Sequence, residues 1–375
     1  MPPYSYRMVD SVDKIDRAPW DAVCQAARHP FMDRRFLRAV EIAFAAEAKF
    51  RYATVEDNAG QTVACACFSC YTVDGCVLAP PAAQRFVNAV RRWWPAFFRF
   101  RVLLCGLPVS TSGGQVVLTE GVDLQRLALT FDQIAVHLAH QSRTKFISFK
   151  EYDPVLAEKL SPLAQHGYRR ALSVVTHWLI GEYESFDAYY ESRSKRHRAN
   201  IRRHFRKLEE AGLTWQQYRG RDDVGRLFTD DVHRLYLNVF DRSQAKFERL
   251  PIAFFHELAR HLPDESSFTF VFQGDRPVGF CCGVASPAAH TLLYCGLDYT
   301  LNANSDLYFN IMYRGLGQGL APGVGTVFVG ASADEFKQHM GCTQVPLSIY
   351  LKALGPVTAF LFNRAFRWLF PQPPE

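Results

Sequence analysis

The sequence predicts an α/β chain made of two tandem copies of one unit, each a mixed, mostly antiparallel sheet flanked by helices, an α+β arrangement within each copy. Three observations carry this. Short β-rich runs alternate with amphipathic segments of helical period along most of the chain. The order of elements up to Tyr168 returns between Ala253 and Gly341. Residues at matching places are also alike. Tyr52-Ala-Thr-Val-Glu, a turn and Val63-Ala-Cys-Ala-Cys match Phe270-Val-Phe, a turn and Val278-Gly-Phe-Cys-Cys, and Leu104-Cys-Gly-Leu107 matches Tyr294-Cys-Gly-Leu297.

In the first copy, residues 20–50 read as helical, with a start at Pro30-Phe31-Met32-Asp33 and an apolar face of Phe36, Leu37, Val40 and Phe44. Two strands follow, Phe50–Glu56 and Val63–Thr72, joined by the turn Asp57-Asn-Ala-Gly60. Residues 84–100 are basic and aromatic. Arg101–Leu107 reads as a third strand, 110–114 as a loop, and Asp123–Ser142 as a helix carrying Leu127, Phe131, Ile134 and Leu138. Lys145–Phe149 is the fourth strand, and the copy closes on His166-Gly167-Tyr168. In the second copy Ala253–His261 reads as helix. Phe268–Phe272, Val278–Val284 and Leu292–Leu297 read as strands, Leu307–Leu320 as helix, and Thr326–Gly330 as strand, before a closing segment Lys337–Gly341. His177–Tyr183 reads as the strand that opens this copy. The expected domains are 1–175 and 176–355, with an aromatic, basic tail over 356–375.

The chain has 375 residues, 48% of them hydrophobic, with 30 Phe and 16 Tyr, which is room and material for two cored domains. Net charge is only +6, so basic character is local and a general nucleic-acid coat is excluded. Ten cysteines are scattered, several inside apolar runs; Cys67 and Cys70 form a lone CxxC without a second pair. Buried free thiols fit better than a zinc site and favour a reducing compartment, and no metal is expected. His137 and His140 share a helix with no further ligand pattern and read as structural. The N-terminus lacks an apolar signal segment, and no run is long enough to span a membrane. The expectation is a soluble cytoplasmic protein of open oligomeric state.

The densest charge lies in Ser192–Gly212. Arg193, Lys195, Arg196, Arg198, Arg202, Arg203, Arg206 and Lys207 precede the first acid, Glu209, while Ile201, Phe205 and Leu208 keep one apolar stripe. Like charges at i,i+4 repel by a few tenths of a kcal/mol. Such a helix presents either a solvated basic face or a site for phosphate, carboxylate or nucleic acid.

Four motifs stand in order: Tyr183-x-Ser-Phe186-Asp-x-Tyr189, then Ser192-x-x-Lys195-x-x-Arg198-x-Asn200-Ile201-Arg202-Arg203, then Asp306-Leu-Tyr308-Phe-Asn310, then Glu335-Phe336-Lys337-x-x-x-Gly341. Together with the duplication they resemble the tandem GNAT N-acyltransferases of the FemAB-like branch. The resemblance covers most of 180–350 directly and reaches the first copy through the repeat. It implies two GNAT-like domains and transfer of an acyl or aminoacyl group from acyl-CoA or aminoacyl-tRNA to an amine. The acceptor, a small molecule or a cell-wall precursor, would lie between the copies, and no cofactor would be tightly bound. Lys337 is then the first catalytic candidate, for the oxyanion or a donor phosphate; otherwise it is an exposed lysine on a short helix. Tyr308 is a candidate proton donor or a core aromatic. Asp298 and Glu335 are candidate bases or surface acids. Lys195, Arg198, Asn200, Arg202, Arg203 and Asn310 are candidate substrate contacts, with tRNA among the partners.

Arg314-x-x-Gly317-x-Gly319 spells the CoA phosphate loop, yet its glycines fall at a helix end, where glycine terminates helices. The expected cradle is instead Thr300–Asp306, with Asn304, Ser305 and Asp306 at the following helix N-terminus. The basic aromatic stretch 91–101 and the tail offer peripheral membrane contact, although such tails more often pack on their own domain. The competing reading is a non-catalytic GNAT-fold module that holds an anionic partner through the basic helix.

Overall fold

A computed structural model describes residues 2–27, 30–74, 81–111, 113–222, 224–243 and 249–370. The first copy contains β1 (Ser5–Val9), α1 (Arg17–Ala26), α2 (Arg34–Ala43), β2 (Lys49–Glu56), β3 (Thr62–Asp74), α3 (Pro81–Arg91), β4 (Arg99–Cys105), β5 (Val116–Leu118), α4 (Leu124–Gln141), β6 (Phe146–Tyr152) and α5 (Pro154–Lys159). After β7 (Arg169–Ile180) come α6 (Phe186–Glu191), α7 (Lys195–Glu210), β8 (Leu213–Arg219), α8 (Val224–Leu227), α9 (Asp230–Arg242), α10 (Ile252–His261) and β9 (Ser266–Gln273). The chain continues through β10 (Arg276–Ala285), β11 (Ala289–Leu297), α11 (Tyr299–Ser305), α12 (Leu307–Gly319), β12 (Thr326–Ala331), α13 (Asp334–His339), β13 (Thr343–Ala353) and α14 (Pro356–Leu369).

Local chemistry sets many of these boundaries. Asp33 accepts from Arg35 N at 2.8 Å and starts α2, Asp123 accepts from the amides of Gln125 and Arg126 and starts α4, and Ser194 accepts from His197 N and starts α7. Asp57 Oδ1 accepts from the amides of Ala59 and Gln61 and makes the β2–β3 turn.

All the strands join one sheet, ordered β1-β2-β3-β4-β6-β13-β7-β12-β11-β10-β9-β8, with β5 also on β3. The last strand of each copy has crossed to the other. β13 lies antiparallel between β6 (Tyr350 opposite Phe149) and β7 (Ile349 opposite Ala171), and β7 lies antiparallel to β12 (Val327 opposite Leu179). The 175/176 junction drawn from the repeat falls inside β7. Of the strand expected at His177–Tyr183, residues 177–180 are the end of this longer one and 181–183 lie beyond it, and β13 was not expected at all. Pro346, which cannot donate to a ladder, sits in β13 where the register shifts between Pro346 and Ser348.

One core spans both copies on one sheet face: α2 packs on its counterpart α10, joining Phe36, Leu37 and Trp20 to Phe228, Phe255 and Phe280. Arg35 pairs with Glu265 across the copies at 2.8 Å. On the opposite face α4 covers the first copy and α7 and α12 cover the second. The described cysteines are all free thiols, eight buried and Cys295 half-buried; Cys76 lies outside the described residues. No described helix is long and apolar enough to cross a membrane.

The exchange of β7 and β13 predicts that neither half folds alone. Residues 1–180 expressed by themselves should show no cooperative thermal transition as a monomer, because β6 and β7 lose the strand between them. A monomeric fragment with a sharp melt would refute this.

Candidate active site

The parallel strands β11 and β12 pair only from Ala289 to Thr291 and from Thr326 to Phe328. Beyond that they part, and a cavity of about 950 Å³ opens between Leu292–Cys295 and Val329–Ala331. Its walls also take Ser110 and Glu151 from the first copy, and Arg242, Tyr299, Tyr308, Asp334 and Lys337 from the second. The two copies meet there directly, since Ser110 N donates to Tyr294 Oη at 3.0 Å.

Lys337 is 3% exposed. Its Nζ donates to the carbonyls of Ala331 (2.7 Å) and Gly330 (3.1 Å) at the end of β12. Burial lowers its pKa to about 8. The backbone that delivers it is strained: Ser332 and Ala333, both lining the cavity, have φ of +67° and +55°. Non-glycine residues there cost on the order of 1–3 kcal/mol each. A brace holds α13 from behind. Tyr189 Oη and Arg193 Nη1 both donate to Met340 O, Arg193 Nη2 donates to Tyr183 Oη at 2.8 Å, and the guanidinium lies 4.9 Å over the Tyr189 ring. Gly341 ends α13 at φ +89°, and a Cβ there would collide with Arg193. The Tyr183/Tyr189 and Lys337/Gly341 motifs are thus two sides of one clamp.

Tyr308 also lines the cavity, packed on Phe336 at 5.7 Å; burial raises its pKa, so the phenol keeps its proton. Burial likewise pushes the Cys295 thiol up to about 11, against the opposing pull of Lys337. Glu151 is a buried residue at φ +62°, accepting from Ser110 Oγ at 2.8 Å and 3.4 Å from Lys150 Nζ. His177, fully buried, shares the Gly330 carbonyl with Lys337 through Nδ1 at 3.2 Å; burial lowers its pKa. Neither Glu151 nor His177 was singled out from sequence. The signal for Glu151 is an acid two residues after Phe149, near the end of the strand that matches β12.

Several expected site residues serve other ends. Asp298 caps α11, accepting from Thr300 N and Oγ1, pairs with Arg276 at 3.6 Å, and does not line the cavity. Glu335 is exposed on α13 and also lies outside it, whereas its neighbour Asp334 lines it. The expected cradle Thr300–Asp306 is helix α11. Asn304 is exposed on it, Ser305 is buried and donates back to Leu301 O, and Asp306, at φ +50°, accepts from His204 (2.7 Å) and Lys207 (3.2 Å). Asn302 accepts from Tyr308 N, so the N-terminus of α12 already faces a side-chain oxygen. Asn310 is fully buried and donates to the carbonyls of His204, Ser305 and Asp306, fastening α7 to α12. The literal Arg314–Gly319 motif ends α12, and Arg314 is sandwiched between Phe205 and Trp215 at 3.8 and 4.0 Å.

On α7, Ile201 and Leu208 are buried and Phe205 half-buried, with His204 also turned inward. Its inner face adjoins the cavity wall, since the His204 ring packs at a tilt on Phe309, centroids 4.5 Å apart. Lys195, Arg202 and Arg203 are exposed and Asn200 half-buried. Arg202 donates to Tyr190 Oη, while Arg198 is tied to Glu191 and the Arg193 carbonyl.

A model of the FemAB-like family, described as peptidoglycan biosynthesis/recognition, matches residues 11–349. A protein of Mycobacterium tuberculosis strains CDC 1551 and H37Rv, provisionally named 8-amino-7-oxononanoate synthase 2, is 27% identical over 274 residues, 70% of this chain and 34% of that protein. The chain therefore spans about a third of the length of the curated relatives it matches. Among solved structures, FemX aligns with a TM-score of 0.53 at 10% identity, covering 87% of this chain and 92% of FemX. A tandem GNAT protein from the clavulanic acid biosynthesis pathway aligns at 0.52 and 11% identity, covering 94% and 99%. The C-terminal domain of a provisionally named lysylphosphatidylglycerol synthetase of Agrobacterium fabrum aligns at 0.52 and 12%, covering 95% and 97%. At these identities the likeness is one of fold, the tandem GNAT fold.

Burial of Lys337 has a measurable signature. The unfolded chain holds this proton up to about 10.5 and the folded chain releases it near 8, so in that window the unfolded state binds more protons and stability rises with pH. The group should contribute up to about 3 kcal/mol between pH 8 and 10.5, and Lys337→Met should remove that increment. Urea unfolding of both proteins at the two pH values measures it; equal increments would place the ammonium in water.

Proposed function

The chain belongs to the FemAB-like family, and on that premise we propose that it is an N-acyltransferase in which an amine attacks an activated acyl or aminoacyl carbonyl directly. The observation that carries this reading is the desolvated Lys337 amine at the point where β11 and β12 part. Two of its N–H groups are spent on carbonyls. In the ammonium form a third remains for the oxyanion that develops on the carbonyl, where low dielectric strengthens it. Tyr308, kept protonated by burial, supplies a proton to the departing group. Glu151, reaching the cleft from the first copy, orients the acceptor ammonium and takes its proton. Direct attack is favoured over a covalent thioester because the Cys295 thiol does not ionise near neutral pH.

The donor is a polyanion, acyl-CoA or aminoacyl-tRNA, whose phosphates lie along Arg202 and Arg203. At the N-terminus of α12, where a phosphate would otherwise sit, Asn302 already accepts from Tyr308 N. The acceptor is an amine on a small molecule or cell-wall precursor, within a cavity of about 950 Å³.

Titration with acetyl-CoA, a longer acyl-CoA and charged tRNA tests the donor; binding of none, with affinity for uncharged RNA intact, would leave a non-catalytic module. Lys337→Ala should lower kcat roughly a hundredfold or more, and near-normal turnover would sink the assignment. The ammonium form is the active one, so kcat should fall as pH rises through about 8; an increase there would make Lys337 a base instead. Replacing Arg202 and Arg203 by Ala should raise KM for the donor more than it lowers kcat, read by steady-state kinetics.

A further inference from the structure

One end of the first copy presents an aromatic surface that the proposed chemistry does not use. β4 begins there at Arg99, β6 begins there at Phe146, and β13 ends there, with Ala353 opposite Phe146. The segment after α3 and helix α14 both leave the sheet at this end. Ring contacts of 5.2 to 6.4 Å run without a break from Phe86 through Phe97, Phe98, Phe100 and Phe146 to Phe362. The two elements therefore form one surface. The tail packs on its own domain through Phe362 and the buried Phe366, yet its outer face stays uncovered; the side chains of Arg367 and Trp368 lie outside the described residues.

Most of the exposed large apolar side chains among the described residues stand here, Trp93 at 91%, Phe86 at 65%, Phe360 at 66% and Trp94 at 60% among them. The platform is fixed: Arg91 holds Asp74 with two bonds and donates to Phe97 O, and Phe98 turns at φ +60°. Around the aromatics Arg92, Arg101, Arg143, Lys145 and Arg364 are exposed. No Asp or Glu occurs within 81–101, 141–146 or 354–370.

We propose that this end docks on an anionic lipid bilayer. Trp93 and Trp94 stand 91% and 60% exposed, as side chains that protrude do, and the cavity beside β11 and β12 takes neither of them. Tryptophan and phenylalanine at the tips with arginine and lysine behind them match the acyl boundary and the charged headgroups of such a bilayer, one layer to each.

The test is flotation of the full chain with phosphatidylcholine vesicles and with vesicles in which about a third of the lipid is phosphatidylglycerol. Binding should require phosphatidylglycerol and weaken at high salt. The Trp93→Ser/Trp94→Ser/Phe360→Ser variant should bind at least about tenfold more weakly, as should Arg92→Glu/Arg364→Glu, with melting temperature and turnover on soluble substrates unchanged. No binding by the wild-type chain, or equal binding by both variants, would overturn the proposal. So would a lipid-free dimer that the aromatic variant dissolves, seen by sedimentation, because a second copy would then cover the surface. A wild-type chain that binds these vesicles but turns over no donor overturns the catalytic reading and leaves this one standing.

Discussion

The backbone hydrogen bonding of two strands, β7 and β13, is the constraint on which the rest of the molecule depends. Each is the last strand of its copy, and each completes the edge left by the other copy. A sheet edge with unpaired amides and carbonyls is costly and prone to wrong pairing. The exchange closes both inner edges at once and fuses two small sheets into one. It also sets the position of the cleft, because β12 is held by β7 on one side and is free to part from β11 on the other.

Much of this order was legible in the sequence. The duplication showed because helix faces and hairpin turns are local signals: Leu37, Val40 and Phe44 repeat every third or fourth residue, and Asp57 and Gly274 mark turns in matching places. The family resemblance and the tandem GNAT fold were borne out. The exchange was not legible, since the partners of β13 are 165 to 207 residues away in sequence and Pro346 argues locally against a strand. Helix α11 was hidden for another reason. Asn302, Asn304 and Ser305 are poor helix formers, and the turn survives through the Asp298 cap and the left-handed Asp306.

The motifs themselves did not distinguish touching a substrate from holding the residue that does. Asp306 and Asn310 fasten α7 to α12, and Arg193 with Gly341 holds α13 in place. Such roles need as definite a residue as catalysis does, because a buried donor left without a partner is expensive. Glu151 escaped notice since Ser110, which donates to it, lies 41 residues away, and the other walls of the cleft belong to the second copy, relations that spacing along the chain does not record.

β6 has a further meaning. Phe146 at its start belongs to the aromatic end of the molecule, and Glu151 near its finish belongs to the cleft. Five residues separate them, roughly 17 Å; Phe146–Phe149 are paired with β4 on one side and β13 on the other, and Glu151 turns at φ +62° just beyond that stretch. The paired strand sets the spacing between the two ends, so if the aromatic end docks on a bilayer, a lipid-linked acceptor needs a headgroup long enough to span that distance to the cleft.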